Sequence, residues 1–176
     1  MSLPDGFRGI NDEVRARLAE IPDLQLYALV DGAKYLTLGN RLDSSSTQWQ
    51  WLLAGTELET IKHAGPALVH LKDDGDLQNW LVSRDRKEPW VCWLMSTHGF
   101  DVLVKHLGSL LFTRLPDGRK SLFRYYNPTV RRSLDSVLTV EQRQQMMGPV
   151  NHWLVWQPLG TRYLAMEAAS HGGLNV

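Results

Sequence analysis

Cysteine is nearly absent from this chain. Cys92 is the one thiol in 176 residues, so no internal disulfide can form and no thiolate metal cluster can be built. Long apolar runs are missing too: none approaches the ~18 residues that a membrane-spanning helix needs. The opening residues, MSLPDGFRGIND, lack the apolar core of a secretory signal. Together these absences lead us to expect a cytoplasmic protein. The motifs that announce catalysis are absent as well. There is no G-x-S-x-G elbow, no P-loop and no G-x-G-x-x-G turn. Six histidines are present, at His63, His70, His98, His106, His152 and His171. None belongs to an H-E-x-x-H pair, which would place two metal ligands on one helix face. No internal repeat or low-complexity linker occurs.

What is present describes an ordinary soluble domain. A chain of 176 residues, 43% apolar and 22% charged, suits one self-sufficient core. A chain of this length buries roughly 70% of its unfolded surface. Formal net charge is zero, but it is unevenly spread. Residues 1–113 hold 11 Lys/Arg against 15 Asp/Glu, and residues 114–143 hold seven against three. A nucleic-acid binder would usually be basic overall, so a solvated face or an acidic protein partner accounts better for the basic segment. Tryptophan is the compositional outlier, with seven copies. Large aromatics anchor cores and interfaces alike, and composition does not separate the two.

Periodicity gives a coarse map. Asn11 can cap a first helix that carries Val14, Leu18 and Ile21 and closes at Pro22. Leu24 to Val30 reads as a buried strand ending at Asp31-Gly32. Lys34 to Leu42 is a short helix, Trp49 to Leu53 a weak helical segment, and Ala67 to Leu71 a strand started by Pro66. Leu77 to Ser83 is a helix and Arg84 to Pro89 a charged connector. Trp90 to Met95 is apolar on both faces, so it should be a central strand covered on both sides. Phe100, Leu103, Val104, Leu107 and Leu111 share a helix face, with Gly108 ending the helix.

Leu110 to Leu115 and Ser121 to Tyr126 form a hairpin, turned by Pro116-Asp117-Gly118. Asn127-Pro128 starts a helix lined by Val130, Leu134 and Val137. Thr139 and Gln142 make a capping box for the next helix, stopped by Gly148-Pro149. Trp153 to Gln157 and Arg162 to Ala168 are late strands. The expected architecture is one α/β domain with a mixed central sheet, one β-hairpin and helices on both faces. Residues 1–22 form an N-terminal helical segment, 23–169 the main domain and 170–176 a flexible tail.

Few residues invite chemistry. Asp31 ends a strand, where active-site carboxylates of α/β folds often sit, but no partner acid or base is apparent. Cys92 lies mid-strand among apolar residues and reads as a buried, inert thiol. Arg124 stands between Phe123 and Tyr125-Tyr126 in an otherwise apolar strand. Its planar fork could hold a carboxylate or helix-end carbonyls, either structurally, with the loop of Asn127 or with Asp31, or as an anchor for a partner.

The ordered landmarks carry a resemblance. Leu26 to Ala33, LYALVDGA, resembles the opening strand of the type VI secretion effector adaptor-chaperone family, also called Tap or TEC proteins. Ala64-Gly65-Pro66-Ala67-Leu68-Val69 is similar to that family's AGPxLV strand. His106-Leu107 to Phe112 resembles the segment before its hairpin. Pro116-Asp117-Gly118 and Leu122-Phe123-Arg124-Tyr125-Tyr126-Asn127-Pro128 are similar to its PDG…FRFYDP signature, and Gly148-Pro149-Val150 to its FFGP step. Gly108 stands where the family usually has arginine, and Asn127 where it usually has aspartate.

The resemblance implies a non-enzymatic protein without cofactor. Such a protein binds a type VI secretion effector in the cytoplasm and helps load it on the VgrG spike, engaging neither membrane nor nucleic acid. Its partner-binding or motif-structural residues would be Asp31, Gly65, Pro66, Arg124, Tyr126, Asn127, Pro128, Gly148 and Pro149. The partner face would include exposed tryptophans or the hairpin from Pro116 to Lys120. Two other readings stay open on the residues alone: a small hydrolase or transferase using Asp31 and a histidine, and an anionic-surface binder acting through residues 114–143.

Overall fold

The computed structural model describes residues 6–72 and 74–167. The expected tail at 170–176 lies outside them. Among the described residues fifteen elements follow one another. Helix α1 (Ile10–Leu18) precedes strand β1 (Gln25–Asp31), α2 (Leu38–Asp43) and β2 (Trp49–Trp51). A 3-10 turn (Glu59–Ala64) leads to β3 (Pro66–His70), α3 (Gly75–Lys87), β4 (Val91–Ser96) and α4 (Phe100–Ser109). Then come β5 (Phe112–Arg114), β6 (Lys120–Leu122), α5 (Pro128–Leu134), α6 (Val140–Met147), β7 (His152–Gln157) and β8 (Arg162–Glu167).

Six strands form one sheet in the order β2-β3-β1-β4-β7-β8, and β5-β6 stand apart as a two-stranded ribbon. The α/β class with helices on both faces holds. Every pairing described is antiparallel, where the alternation of strands and helices had suggested mixed directions. Strand β4 is buried along its whole length between β1 and β7, as its two apolar faces require.

The pleat sorts side chains into two cores. Leu26, Ala28, Val30, Val91, Trp93 and Met95 point to one face, where α1, α2 and α3 add Ile10, Leu38, Leu42, Leu77 and Leu81. Tyr27, Leu29, Cys92, Leu94, Trp153 and Val155 point to the other, where α4 and α6 add Phe100, Leu103, Leu107, Met146 and Met147. Four tryptophans (Trp90, Trp93, Trp153, Trp156) are buried, and Trp49, Trp51 and Trp80 are half-buried. Among the described residues no helix is long and apolar enough to cross a membrane.

Several local expectations change. The cap of α1 is Gly9 rather than Asn11, because the Asp12 carboxylate accepts the Gly9 N–H at 3.1 Å. Trp49 to Trp51 is an edge strand, not a helical piece; it pairs with Ala67 to Val69, and its two indoles meet edge-on at 5.6 Å. Helix α3 starts on the Asp74 cap and runs through Arg84, Asp85 and Arg86, which had read as a connector. Helix α4 passes through Gly108 and ends one residue later.

The hairpin strands are shorter than expected. After Leu122 the chain leaves the ribbon, and the Asn127 N–H bonds the Arg124 carbonyl at 3.1 Å, so Arg124 sits on a turn and not in a strand. Helix α5 is turned outward: Val130 is exposed, Leu134 is half-buried, and Arg131 is buried instead, while Val137 lies past the helix end and is exposed.

Candidate functional site

The site is built where β1 ends. Asp31 pairs in register with Pro66, and the Gly32 N–H bonds the Gly65 carbonyl at 2.9 Å. The backbones come so close that a side chain on Gly32 would stand 2.7 Å from the Gly65 oxygen. One on Gly65 would stand 2.8 Å from the Leu53 side chain. Contacts under about 3 Å are not tolerated against backbone, which explains Gly32; at Gly65 the obstacle is the buried Leu53 side chain, which would have to shift. Pro66 opens β3 at the position where it also receives the Leu52 N–H on its carbonyl, at 2.9 Å.

Alternation along β1 sends the Asp31 side chain to the face covered by α4 to α6, where it is fully buried. Its Oδ1 accepts the Ala33 N–H at 3.1 Å. Its Oδ2 accepts the Arg124 guanidinium at 2.9 Å and the Asn127 amide at 3.5 Å. Asn127 serves a second purpose: its Oδ1 caps α5 by accepting from Thr129 and Val130 at 3.0 and 3.3 Å. Pro128 then fills the first helical position, where its missing donor costs nothing. Tyr126 is buried beside this cluster, its ring 5.9 Å from the Arg124 guanidinium.

The electrostatics follow from these contacts. Burial pulls the pKa of Arg124 down, but Asp31 and Tyr126 outweigh it and the net shift is upward, so the guanidinium stays charged. Burial raises Tyr126, the Asp31 charge adds to it, and Arg124 opposes both. The Arg124 side chain is 48% exposed, so the cluster reaches the surface through it.

Gly148 and Pro149 do not join this site. They lie toward the opposite end of the sheet, where Ser96, paired with Gln25, donates its hydroxyl to the Pro149 carbonyl at 2.5 Å. Gly148 has φ +47, and a side chain there would meet the His106 ring at 2.6 Å. His106 shares a hydrogen bond with the Met146 carbonyl at 2.7 Å, locking α4 to the end of α6.

Other sequence candidates separate. Among the described residues no histidine bonds Asp31. His152 faces Glu167 at 3.2 Å, and burial lowers its affinity for a proton while Glu167 opposes that shift. Burial pushes the Cys92 thiol up to about 12, and its Sγ lies 3.4 Å from the Tyr126 carbonyl. Part of the basic segment is neutralised locally, by Arg119 with Asp117 and Lys120 with Glu57. No group of three metal-ligating side chains converges among the described residues.

Two buried charges escaped the sequence reading. Asp85 accepts the Trp90 and Val91 N–H groups at 2.8 and 3.0 Å and the Trp93 indole at 3.0 Å, and burial pushes its carboxyl up to about 6 against those bonds. Its signal was spacing: Leu77, Leu81 and Asp85 recur every four residues on the buried side of α3. Arg131 bonds Asp135 at 2.7 Å and the Met147 sulfur at 3.6 Å, and lies 4.8 Å over the Trp153 ring. Pro128 and Arg131, three apart, are the buried pair of α5.

No curated protein and no solved structure matches the chain. A family match does exist, from β1 to α6, and it takes in the whole Asp31 cluster while leaving out α1, Gly148-Pro149 and the last two strands. Since it spans more than half of the sequence, the chain belongs to the family described as "Domain of unknown function (DUF4123)", matched over residues 26–145.

Proposed function

We propose that this protein is a non-enzymatic adaptor-chaperone that binds a type VI secretion effector in the cytoplasm and helps load it on the VgrG spike. The observation that carries the reading is the convergence of the resemblance's ordered motifs. Asp31-Gly32, Gly65-Pro66 and Arg124 to Pro128 are far apart in sequence yet meet in one bonded cluster. That cluster is spent on holding the fold. The Asp31 carboxylate is buried and engaged by the Ala33, Arg124 and Asn127 donors, an arrangement that favours a positioned scaffold over a reacting acid. The family match covers the same residues, which also supports the reading.

The test is co-production with the effector encoded beside it. A stable complex on gel filtration is expected, together with an effector that loses solubility when the adaptor is left out. An effector that stays equally soluble and unbound without this protein would count decisively against the reading.

A further inference from the structure

The Asp31 turn delivers the chain from one face of the sheet to the other. Asp31 anchors the side of α4 to α6, and the loop that follows it, residues 32–37, packs over the side of α1 to α3. There it borders a cleft of about 380 Å³ whose walls include Gly32, Tyr35, Leu36, Gly39, Trp51 and Ala64. A cleft of this size lies near the lower end of the ~300–1,000 Å³ that binding pockets occupy. Gly39 faces Trp51 across the cleft, and a Cβ there would stand in ordinary contact with the indole ring at 3.6 Å. Leu36 stands at the rim with 95% of its surface exposed, the second most exposed large apolar residue described. An apolar cleft with a bare leucine on its lip is costly in water and is gained back on association.

Three cations border this surface; of the carboxylates that act on Tyr35, Asp85 and Asp31 are engaged by hydrogen-bond donors, and Glu88 is in no ion pair among the described residues. Lys34 lies 4.4 Å over the Trp90 ring, and Arg41 and Arg84 lie 4.4 and 5.8 Å from the Trp80 ring. Tyr35 joins these indoles edge-on at 5.5 and 6.3 Å. None of the three cations forms an ion pair among the described residues. A guanidinium stacked on an aromatic face keeps its in-plane N–H donors free for a carboxylate. The surface therefore offers apolar burial in the cleft and fixed, undercommitted cations beside it.

We propose that this cleft is the docking site for an effector segment in which an apolar side chain is flanked by carboxylates. The inference rests on the adaptor reading and goes further: it names the surface and the chemistry of the segment. The apolar side chain enters between Tyr35, Gly39 and Trp51, Leu36 covers it, and the flanking carboxylates meet Lys34, Arg41 and Arg84. Binding of this kind weakens with added salt, because the cations are exposed enough to be screened.

The test uses the full chain with the effector encoded beside it, and measures dissociation constant and melting temperature together. Leu36→Asp and Arg41→Glu are each expected to weaken binding roughly tenfold or more at an unchanged melting temperature. Leu159→Asp, fully exposed in the β7–β8 turn, is the control and keeps the parent affinity. Added salt weakens the parent complex more steeply than the Arg41→Glu complex. If the parent binds and both cleft variants bind equally well, or if Leu159→Asp loses as much, the docking site is overturned and the adaptor reading stands. If the parent itself does not bind the effector, the adaptor reading falls and the docking site with it.

Discussion

Each face of the sheet buries a charged side chain away from the Asp31 turn, Asp85 on one and Arg131 on the other, and the two are accommodated in opposite ways. On the side of α1 to α3, Asp85 has no cation among its hydrogen-bond partners; it is held by three N–H groups of β4 and its approach. On the side of α4 to α6, Arg131 has an ion-pair partner, but Asp135 is 37% exposed, and the remainder of its environment is a thioether and an indole face. The difference lies in what each would leave behind. Removing Asp85 abandons three donors that have no route to water. Removing Arg131 abandons a carboxylate that can hydrate where it stands. A buried charge matters to stability through its partners' alternatives more than through its own Coulomb energy.

The largest expected effect therefore falls on Asp85. Asp85→Ala should cost roughly 3–5 kcal/mol, since each orphaned buried donor costs about 1–3 kcal/mol and the gap partly relaxes. Urea unfolding measures it; a loss below about 1 kcal/mol would break the contrast. The same residue gives the protein a pH signature. Its carboxyl sits at about 6 in the folded chain against an ordinary 3.8, so between those values the native state holds the proton that the unfolded chain has released. The stability it contributes is complete below about 3.8 and is lost as pH rises to about 6. A melting-temperature profile should fall across that window and level off above it, and the slope should vanish in Asp85→Asn.

Next in size is Arg124→Ala, at roughly 1–3 kcal/mol, smaller than for a fully buried pair because half of the guanidinium is already in water. It strands Asp31 with the Ala33 N–H and the longer Asn127 contact. Adding Asp31→Asn to Arg124→Ala should restore most of the loss, since the stranded charge is then gone. A double-mutant cycle followed by circular dichroism separates this structural cost from any loss of effector binding.

Much of this architecture could be read from the chain, and the failures have physical causes. Trp90 to Met95 declared itself central because both its faces are apolar, and Thr139 with Gln142 formed the expected reciprocal cap. Trp49 to Trp51 did not read as a strand because three residues are too few for a period; the pairing with β3 decides it. Strand directions were hidden because a helix between two strands can return the chain either way. Within the candidate site, Asp31 and Arg124 were singled out separately, and their pairing was one reading beside the loop of Asn127 and a partner anchor. What joins them is a turn after Leu122 that the run of apolar residues concealed. Helix α5 misled most, since Val130 marks its outer face and Arg131 the inner one. The docking cleft did not announce itself: Gly32 and Ala64 in its wall belong to motifs explained by the strand pairing, and the exposure of Leu36 beside them exists only once the loop is folded.

A smaller effect, about 1 kcal/mol, is expected for Asn127→Asp. The new carboxylate still caps α5, but it gives up the amide donor to Asp31 and places a like charge where that donor was. Arg124 then has two carboxylates to serve, and being half-exposed it screens them only in part. Thermal unfolding at low and high salt checks this: the deficit should shrink as salt rises, and a deficit indifferent to salt would mean that the amide bond, not repulsion, is what was lost.

The smallest change sharpens the comparison most. Arg131→Met keeps an unbranched side chain over the Trp153 ring and beside the Met147 sulfur, while Asp135 turns to solvent. Replacing a buried ion with a hydrocarbon of similar shape is often neutral or stabilising, because the desolvation cost disappears together with the pair. Arg131 also has a buried Nε with no hydrogen-bond partner, so part of its polarity is unrewarded in the fold. Stability should stay within about 1 kcal/mol of the parent. If Arg131→Met instead falls as far as Asp85→Ala, the asymmetry between the faces is not one of stranded partners, and the guanidinium must be holding α5 against β7 by bonds that no methionine can imitate.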